Sequence, residues 1–209
     1  MIWYIVQLSL NISICSSSDI LVTFGGRHLT RYVTANYIRT LANVELTNLG
    51  PNKSFSCTIP NLPARVYGHL TIKTKIGIID CGGITPVNPP DDPIVNKCYK
   101  LASNNSWIPL PMMNEARSDF GMEEANGKLF SVGGGRASAG VSMEWMDLTD
   151  GLRWTRQDLT FRIDNHCMTK FNETHLIVTG GRLKVEGGCT RCRSEVCEMS
   201  FRWNHTNHS

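Results

Sequence analysis

Residues 107–136 read WIPLPMMNEARSDFGMEEANGKLFSVGGGR. The stretch opens on Trp107, passes a Pro-flanked turn and Arg117, and crosses a second turn at Asn126-Gly127. It then enters a short apolar run, Lys128 to Val132, that ends on three glycines. Runs of about five β-branched, aromatic and apolar residues bounded by Gly, Asn and Pro form strands. A double glycine directly after a strand marks backbone that takes a positive φ or lets a neighbour approach closely. The stretch reads as one unit of a repeat rather than as an active site.

Paired glycines close four such runs: LVTFGG at Gly26, IGIIDCGG at Gly83, KLFSVGGG around Gly134 and HLIVTGG at Gly181. The marks follow one another at steps of 57, 51 and 47 residues. Arg65, Arg117 and Arg162 precede three of them by 18, 17 and 19 residues, and His69, Gly121 and His166 follow four after each Arg. Trp107 and Trp154 lie upstream of two of the arginines, with Cys57 in the corresponding place before Arg65. A Trp fills the gap between stacked sheets and needs a partner for its N–H. An Arg at constant phase suits the holding of carbonyls or a carboxylate between units.

These marks resemble the kelch repeat family, whose unit is about 50 residues long. In that family a diglycine follows the second strand, and an aromatic, a Trp and an Arg come before the next unit. The likeness covers about residues 20 to 203. It departs at Tyr99 to Trp107, which is a residue or so longer than usual, and at Cys57, which replaces a Trp. The resemblance implies an all-β, kelch-type β-propeller with about four recognisable blades, marked at 25–26, 82–83, 133–135 and 180–181. An open arc of four blades leaves two apolar faces uncovered, and kelch propellers usually close with about six. An incomplete, truncated propeller is therefore expected; closure at four blades and pairing with another chain are the alternatives.

Residues 1–18, MIWYIVQLSLNISICSSS, form an apolar run followed by small residues. That is signal-peptide anatomy without the usual basic n-region, and it is short for a transmembrane helix. Removal would leave residues 19–209 as the propeller; a buried first strand and a misassigned start are the competing readings. Asn-X-Ser/Thr sequons occur at Asn52, Asn104, Asn172, Asn204 and Asn207, the first three in expected turns. Seven of the eight cysteines follow residue 18, a number suited to an oxidising compartment. The net charge of +3 carries no basic run, so nucleic acid is not implied.

Along the chain, strands are expected at Asp19–Phe24, Asn43–Thr47, twice within HLTIKTKIGIID, at Ser142–Leu148, around Trp154 and at Glu195–Phe201. The Pro-rich ITPVNPPDDPIVN cannot sit inside a sheet and forms a long surface loop, the kind of place where binding residues collect. Cys81 and Cys98 flank that loop and are the expected disulfide. Cys57, Cys167, Cys189, Cys192 and Cys197 remain, an odd number. Cys189, Cys192 and Cys197 near His205 and His208 offer half of a zinc pattern, but no second C-x2-C exists, and a secreted setting favours disulfides.

No nucleophile elbow is present, and the glycines end strands with no helix after them, which removes a phosphate loop. His69 and His166 recur at one phase of the repeat and read as core residues. The sequence thus predicts a secreted kelch-repeat interaction module that binds a protein (or glycan) ligand of unknown identity. It predicts no catalysis, cofactor or membrane span. Two rivals remain: a copper-radical oxidase-like propeller, which the family also contains, and a cytosolic kelch interaction protein or adaptor fragment.

Overall fold

The computed structural model describes residues 20–32, 35–48, 60–87, 92–135, 140–150, 153–185 and 199–202. The expected signal peptide, Cys57 and the Cys189–Cys197 cluster lie outside them. The described chain is all-β: fifteen strands, β1(Ile20–Tyr32), β2(Ala35–Asn48), β3(Leu70–Thr74), β4(Gly77–Cys81), β5(Cys98–Leu101), β6(Trp107–Leu110), β7(Gly121–Ala125), β8(Lys128–Val132), β9(Ser142–Asp147), β10(Trp154–Asp158), β11(Phe161–Asp164), β12(Cys167–Asn172), β13(His175–Thr179), β14(Arg182–Val185) and β15(Met199–Arg202). Every pairing is antiparallel.

Two sheets are four-stranded meanders, β3-β4-β5-β6 and β7-β8-β9-β10, and a third has the order β12-β13-β15. A two-residue turn joins β7 to β8: Asn126 and Gly127 both take positive φ, 47° and 70°, the conformation that suits the twist of such a hairpin. β11 pairs with β14, and β1 with β2.

The cores lie between successive sheets. Ile79, Cys81 and Cys98 of the first meander meet Met122, Leu129 and Met146 of the second, all buried. Val132 and Met143 meet Val178 across the next gap, with Ile163 between them. Each full burial of a side chain of this size contributes roughly 1.5–3 kcal/mol.

The connectors entering the sheets are equivalent in space. Gly68, Asp119 and Asn165 each take a positive φ, 65°, 53° and 53°. They form a backbone chain from sheet to sheet: Asp119 N–H donates to Gly68 O (2.9 Å) and Asn165 N–H to Asp119 O (2.8 Å). The diglycines receive the next connector: Gly83 N–H donates to Arg117 O (2.7 Å) and Gly134 N–H to Ile163 O (2.8 Å). A Cβ on Gly133 would stand 2.3 Å from Ile163 O, and one on Gly82 2.6 Å from Arg117 O. Glycine is required there by the neighbour's approach as much as by φ.

This geometry corrects the phase read from sequence. Val66, Arg117 and Ile163 each stand two residues before the left-handed position, so Arg65 and Arg162 are in phase while Arg117 is one residue on. By the same count His69, Phe120 and His166 are equivalent, not Gly121: each packs over the second glycine of its own pair, Gly83, Gly134 and Gly181. The extra residue in the last spacing is a bulge in β12, where the register shifts between Lys170 and Asn172. The slipped Arg and the bulge together account for spacings of 18, 17 and 19.

The first glycine mark also differs from expectation. β1 does not end at Gly25-Gly26 but continues to Tyr32, with the register shifting between Phe24 and Gly26. A glycine inside a strand accommodates such a bulge. The expected strand at Asn43–Thr47 falls within β2.

Candidate interaction face

The starts of β3, β7 and β12 pair with the ends of β4, β8 and β13: Leu70↔Cys81, Gly121↔Val132, Cys167↔Thr179. The diglycines, the connectors and the Pro-rich loop therefore emerge at one end of the sheets. Cys81 and Cys98 are directly opposed on β4 and β5 and form the expected disulfide, their Cα atoms 4.2 Å apart. It closes the neck of the loop. Above it the loop doubles back: Ile84 bridges both Tyr67 and Ile94, and Val95 N–H donates to Gly83 O (2.9 Å). Tyr67 Oη donates to Asp92 Oδ2 (3.3 Å), and Val87 N–H to Asp92 Oδ1 (2.9 Å). Beyond these ties Val87 stands 70% exposed.

Beside the loop the left-handed residues Asp119 and Asn165 are exposed. Asn165 Nδ2 donates to Asp164 Oδ1 (3.0 Å), which also takes Arg182 Nε (2.6 Å). Arg182 is itself largely exposed, so this pair organises the surface more than it stabilises it. Arg162 donates to Gly135 O (2.8 Å), fastening its connector to the preceding turn. Arg65, by contrast, is exposed.

Arg117 and Glu144 are both fully buried. The guanidinium donates to Gly133 O (2.7 Å), Ser142 O (3.0 Å), Ser142 Oγ (2.8 Å) and twice to Glu144 Oε1 (3.2 and 2.9 Å). Burial lowers the Arg117 pKa, and the Glu144 carboxylate opposes that fall. Glu144 also accepts from Asn114 N (2.6 Å), Asn114 Nδ2 (2.8 Å) and Glu115 N (2.9 Å). Arg117 does hold carbonyls and a carboxylate, but from one residue off the phase of Arg65 and Arg162 and within the sheet it enters rather than between units. Glu144 was not foreseen. Gly82 N–H donates to Lys97 O and Gly133 N–H to Ser142 O, so Glu144, two residues on, corresponds to Tyr99. Where the first meander has Val66 and Tyr99, the second has an ion pair.

Both tryptophans find the expected partner for the indole N–H. Trp107 Nε1 donates to Pro60 O (3.1 Å) and Trp154 Nε1 to Pro111 O (2.9 Å). Each ties the last strand of a meander to the chain that enters it.

His69 and His166 are both buried, as expected of core residues. His69 is buried with Nε2 3.6 Å from Asp80 Oδ1, and Thr71 Oγ1 donates to that same oxygen (2.7 Å) across the β3–β4 pair. Burial raises the Asp80 pKa, against the opposing pull of His69 and the Thr71 hydrogen bond. Neither Asp80 nor Thr71 was singled out from sequence. His166 is enclosed where Gly121, Gly133 and Gly181 leave room, and burial pushes its pKa down to about 4.

At the opposite end, Lys75 N–H donates to Glu124 Oε2 (2.8 Å) and Asn126 N–H to Glu173 Oε2 (2.7 Å), each turn clasping the next sheet. Of the sequons, Asn104 and Asn172 are exposed; Asn52, Asn204 and Asn207 lie outside the described residues. Cys167 carries a free, exposed thiol. Among the described residues no group of three or more His, Cys, Asp or Glu is placed to hold a metal ion, and no helix is long and apolar enough to cross a membrane.

No family model matches the chain, and no curated protein matches it. The fold is similar to that of solved structures. One of them, the structure of YjhT, agrees with a TM-score of 0.60 at 14% sequence identity, over 79% of this chain and 56% of that one. The chain thus spans little more than half the length of the YjhT chain. At that identity the likeness is one of fold alone.

Proposed function

We propose that the chain is a kelch-type β-propeller segment that acts outside the cell as an interaction module, binding a protein ligand through the disulfide-necked loop and the connectors beside it. The observation that carries this reading is the contrast at that end of the sheets. A buried frame of backbone hydrogen bonds, Arg117–Glu144 and the Cys81–Cys98 bridge holds a loop whose outer side chains, Val87 among them, face solvent. Binding residues on a loop held by a rigid scaffold are the common arrangement for recognition. The sheet-to-sheet equivalences support the repeat reading; the cysteine bridge and the sequons support the extracellular one.

Two measurements test the proposal. Intact mass of the protein from a secretory host should show loss of about 18 residues, oxidised cysteines and added glycan; an unprocessed, reduced, unmodified chain overturns the extracellular reading. Screening against a panel of extracellular proteins should then yield a ligand whose capture is lost with Val87→Asp or Asp119→Arg and kept with Lys75→Glu, at the other end of the sheets. Equal capture by all three variants overturns the choice of face.

A further inference from the structure

β12 and β13 pair from Cys167↔Thr179 to Lys170↔Leu176, and pairing resumes at Asn172↔His175. Two steps on β12 match one on β13, so Phe171 is the extra residue of a bulge. Side chains alternate faces along a regular strand, and the bulge breaks that alternation once. Lys170 lies on the face of Leu176, whereas Asn172 lies on the face of its partner His175. Phe171, one step from Lys170, falls on that second face as well. Ring and amide are neighbours on one side of the hairpin. His175 Nδ1, 2.9 Å from Asn172 Oδ1, fits this placement.

Phe171 is 70% exposed, a large apolar surface left in water. The residue after it opens an acceptor sequence for N-linked sugar, Asn172-Glu173-Thr174. Asn172 Oδ1 accepts from Thr174 N and Thr174 Oγ1, both at 2.9 Å. The amide nitrogen, the atom that would carry a sugar, takes part in none of these contacts.

We propose that Asn172 bears an N-linked glycan whose first sugar stacks on the Phe171 ring; this rests on the extracellular reading above. In the transfer, Asn172 Nδ2 attacks C1 of the first sugar of a lipid-diphosphate-linked oligosaccharide. The C–N bond forms as the C–O bond to the diphosphate breaks; the lipid diphosphate leaves and Nδ2 gives up a proton. Transfer acts on the unfolded chain, and folding then brings the apolar C–H face of the sugar over the electron-rich face of the ring. Asn104 is the internal comparison. Its sequon is exposed and similarly closed, Ser106 Oγ donating to Asn104 Oδ1 (2.6 Å). Ser103 precedes it, however, and nearby Trp107 is half-buried with its N–H bonded to Pro60 O.

The test expresses the full chain behind a supplied secretory leader, so that it enters the pathway whatever its own N-terminus does. Peptide mass spectrometry should find Asn172 occupied in the secreted, disulfide-bonded protein. Amidase treatment leaves Asp at 172, whose oxygens still accept from Thr174. It should lower the wild-type Tm by about 2 °C or more, do the same for Phe171→Tyr, and lower that of Phe171→Ala measurably less. The other sequons contribute equally to all three. An unmodified Asn172 in secreted protein, or the same Tm shift with and without the ring, overturns the proposal and leaves the extracellular reading standing. That reading falls instead if the chain with its own N-terminus stays inside the cell with Cys81 and Cys98 reduced.

Discussion

Glu144→Ala removes an acceptor that takes five hydrogen bonds, from Asn114 N and Nδ2, Glu115 N, and Arg117 Nε and Nη2. Arg117 stays behind fully buried and loses the carboxylate that lies 2.9 Å from its Nη2. Breaking a buried pair in this way costs about 3–5 kcal/mol. In a domain of this size 1 kcal/mol moves Tm by about 2–4 °C, so a fall of roughly 6–20 °C is expected. Arg117→Val should cost a comparable amount, because Gly133 O and Ser142 O lose their donor along with the carboxylate. The double variant Arg117→Val with Glu144→Tyr installs the residues that the first meander has at Val66 and Tyr99. It should recover part of the loss, and the cycle should show a coupling of about 2 kcal/mol or more between the sites. Recovery is incomplete, since the backbone donors and acceptors that the pair served are left to water or to nothing. Thermal and urea unfolding of the four proteins measure all three quantities. A Tm fall below about 2 °C for Glu144→Ala, or strict additivity of the two single changes, would refute the claim that this pair holds the connector to its sheet.

Reducing the Cys81–Cys98 bridge frees a loop closed over a separation of 17 residues. The chain-entropy estimate is about 3 kcal/mol, read as a lower Tm for Cys81→Ala/Cys98→Ala against wild type. His166 has a folded pKa of about 4 against an ordinary 6.5. Between those values the unfolded chain holds a proton that the folded chain does not, so its contribution is full above about 6.5 and is lost as pH falls towards about 4. The loss amounts to roughly 3 kcal/mol, and His166→Phe, matching Phe120, should flatten urea-unfolding stability across that window; an unchanged slope counts against the assignment. Gly133→Ala places a Cβ against Ile163 O at a φ of +62° and should cost roughly 2 kcal/mol or more by urea unfolding. An unchanged midpoint would mean that this diglycine and the Ile163 connector are not in contact there.

Features that depend on local chemistry can be read from the order of residues alone. Strand runs of period two, Asn126-Gly127 as a hairpin turn and glycine pairs at strand ends are legible because they follow from what a few adjacent residues can adopt. The Cys81–Cys98 bridge was legible for the same reason: one loop separates two neighbouring strands. Tertiary register decided the rest. A bulge at Phe171 and a one-residue slip at Arg117 leave the spacings nearly constant, yet they change which residue meets which neighbour. Glu144 lies 27 residues from Arg117, and Asp80 lies 11 from His69; only the pairing of β8 with β9 and of β3 with β4 brings these groups within reach. The glycines at 25 and 26 carry the same local mark as the others, but β1 runs through them because β2 pairs on either side. A strand ends where its partner ends, and the partner's position is a property of the folded sheet.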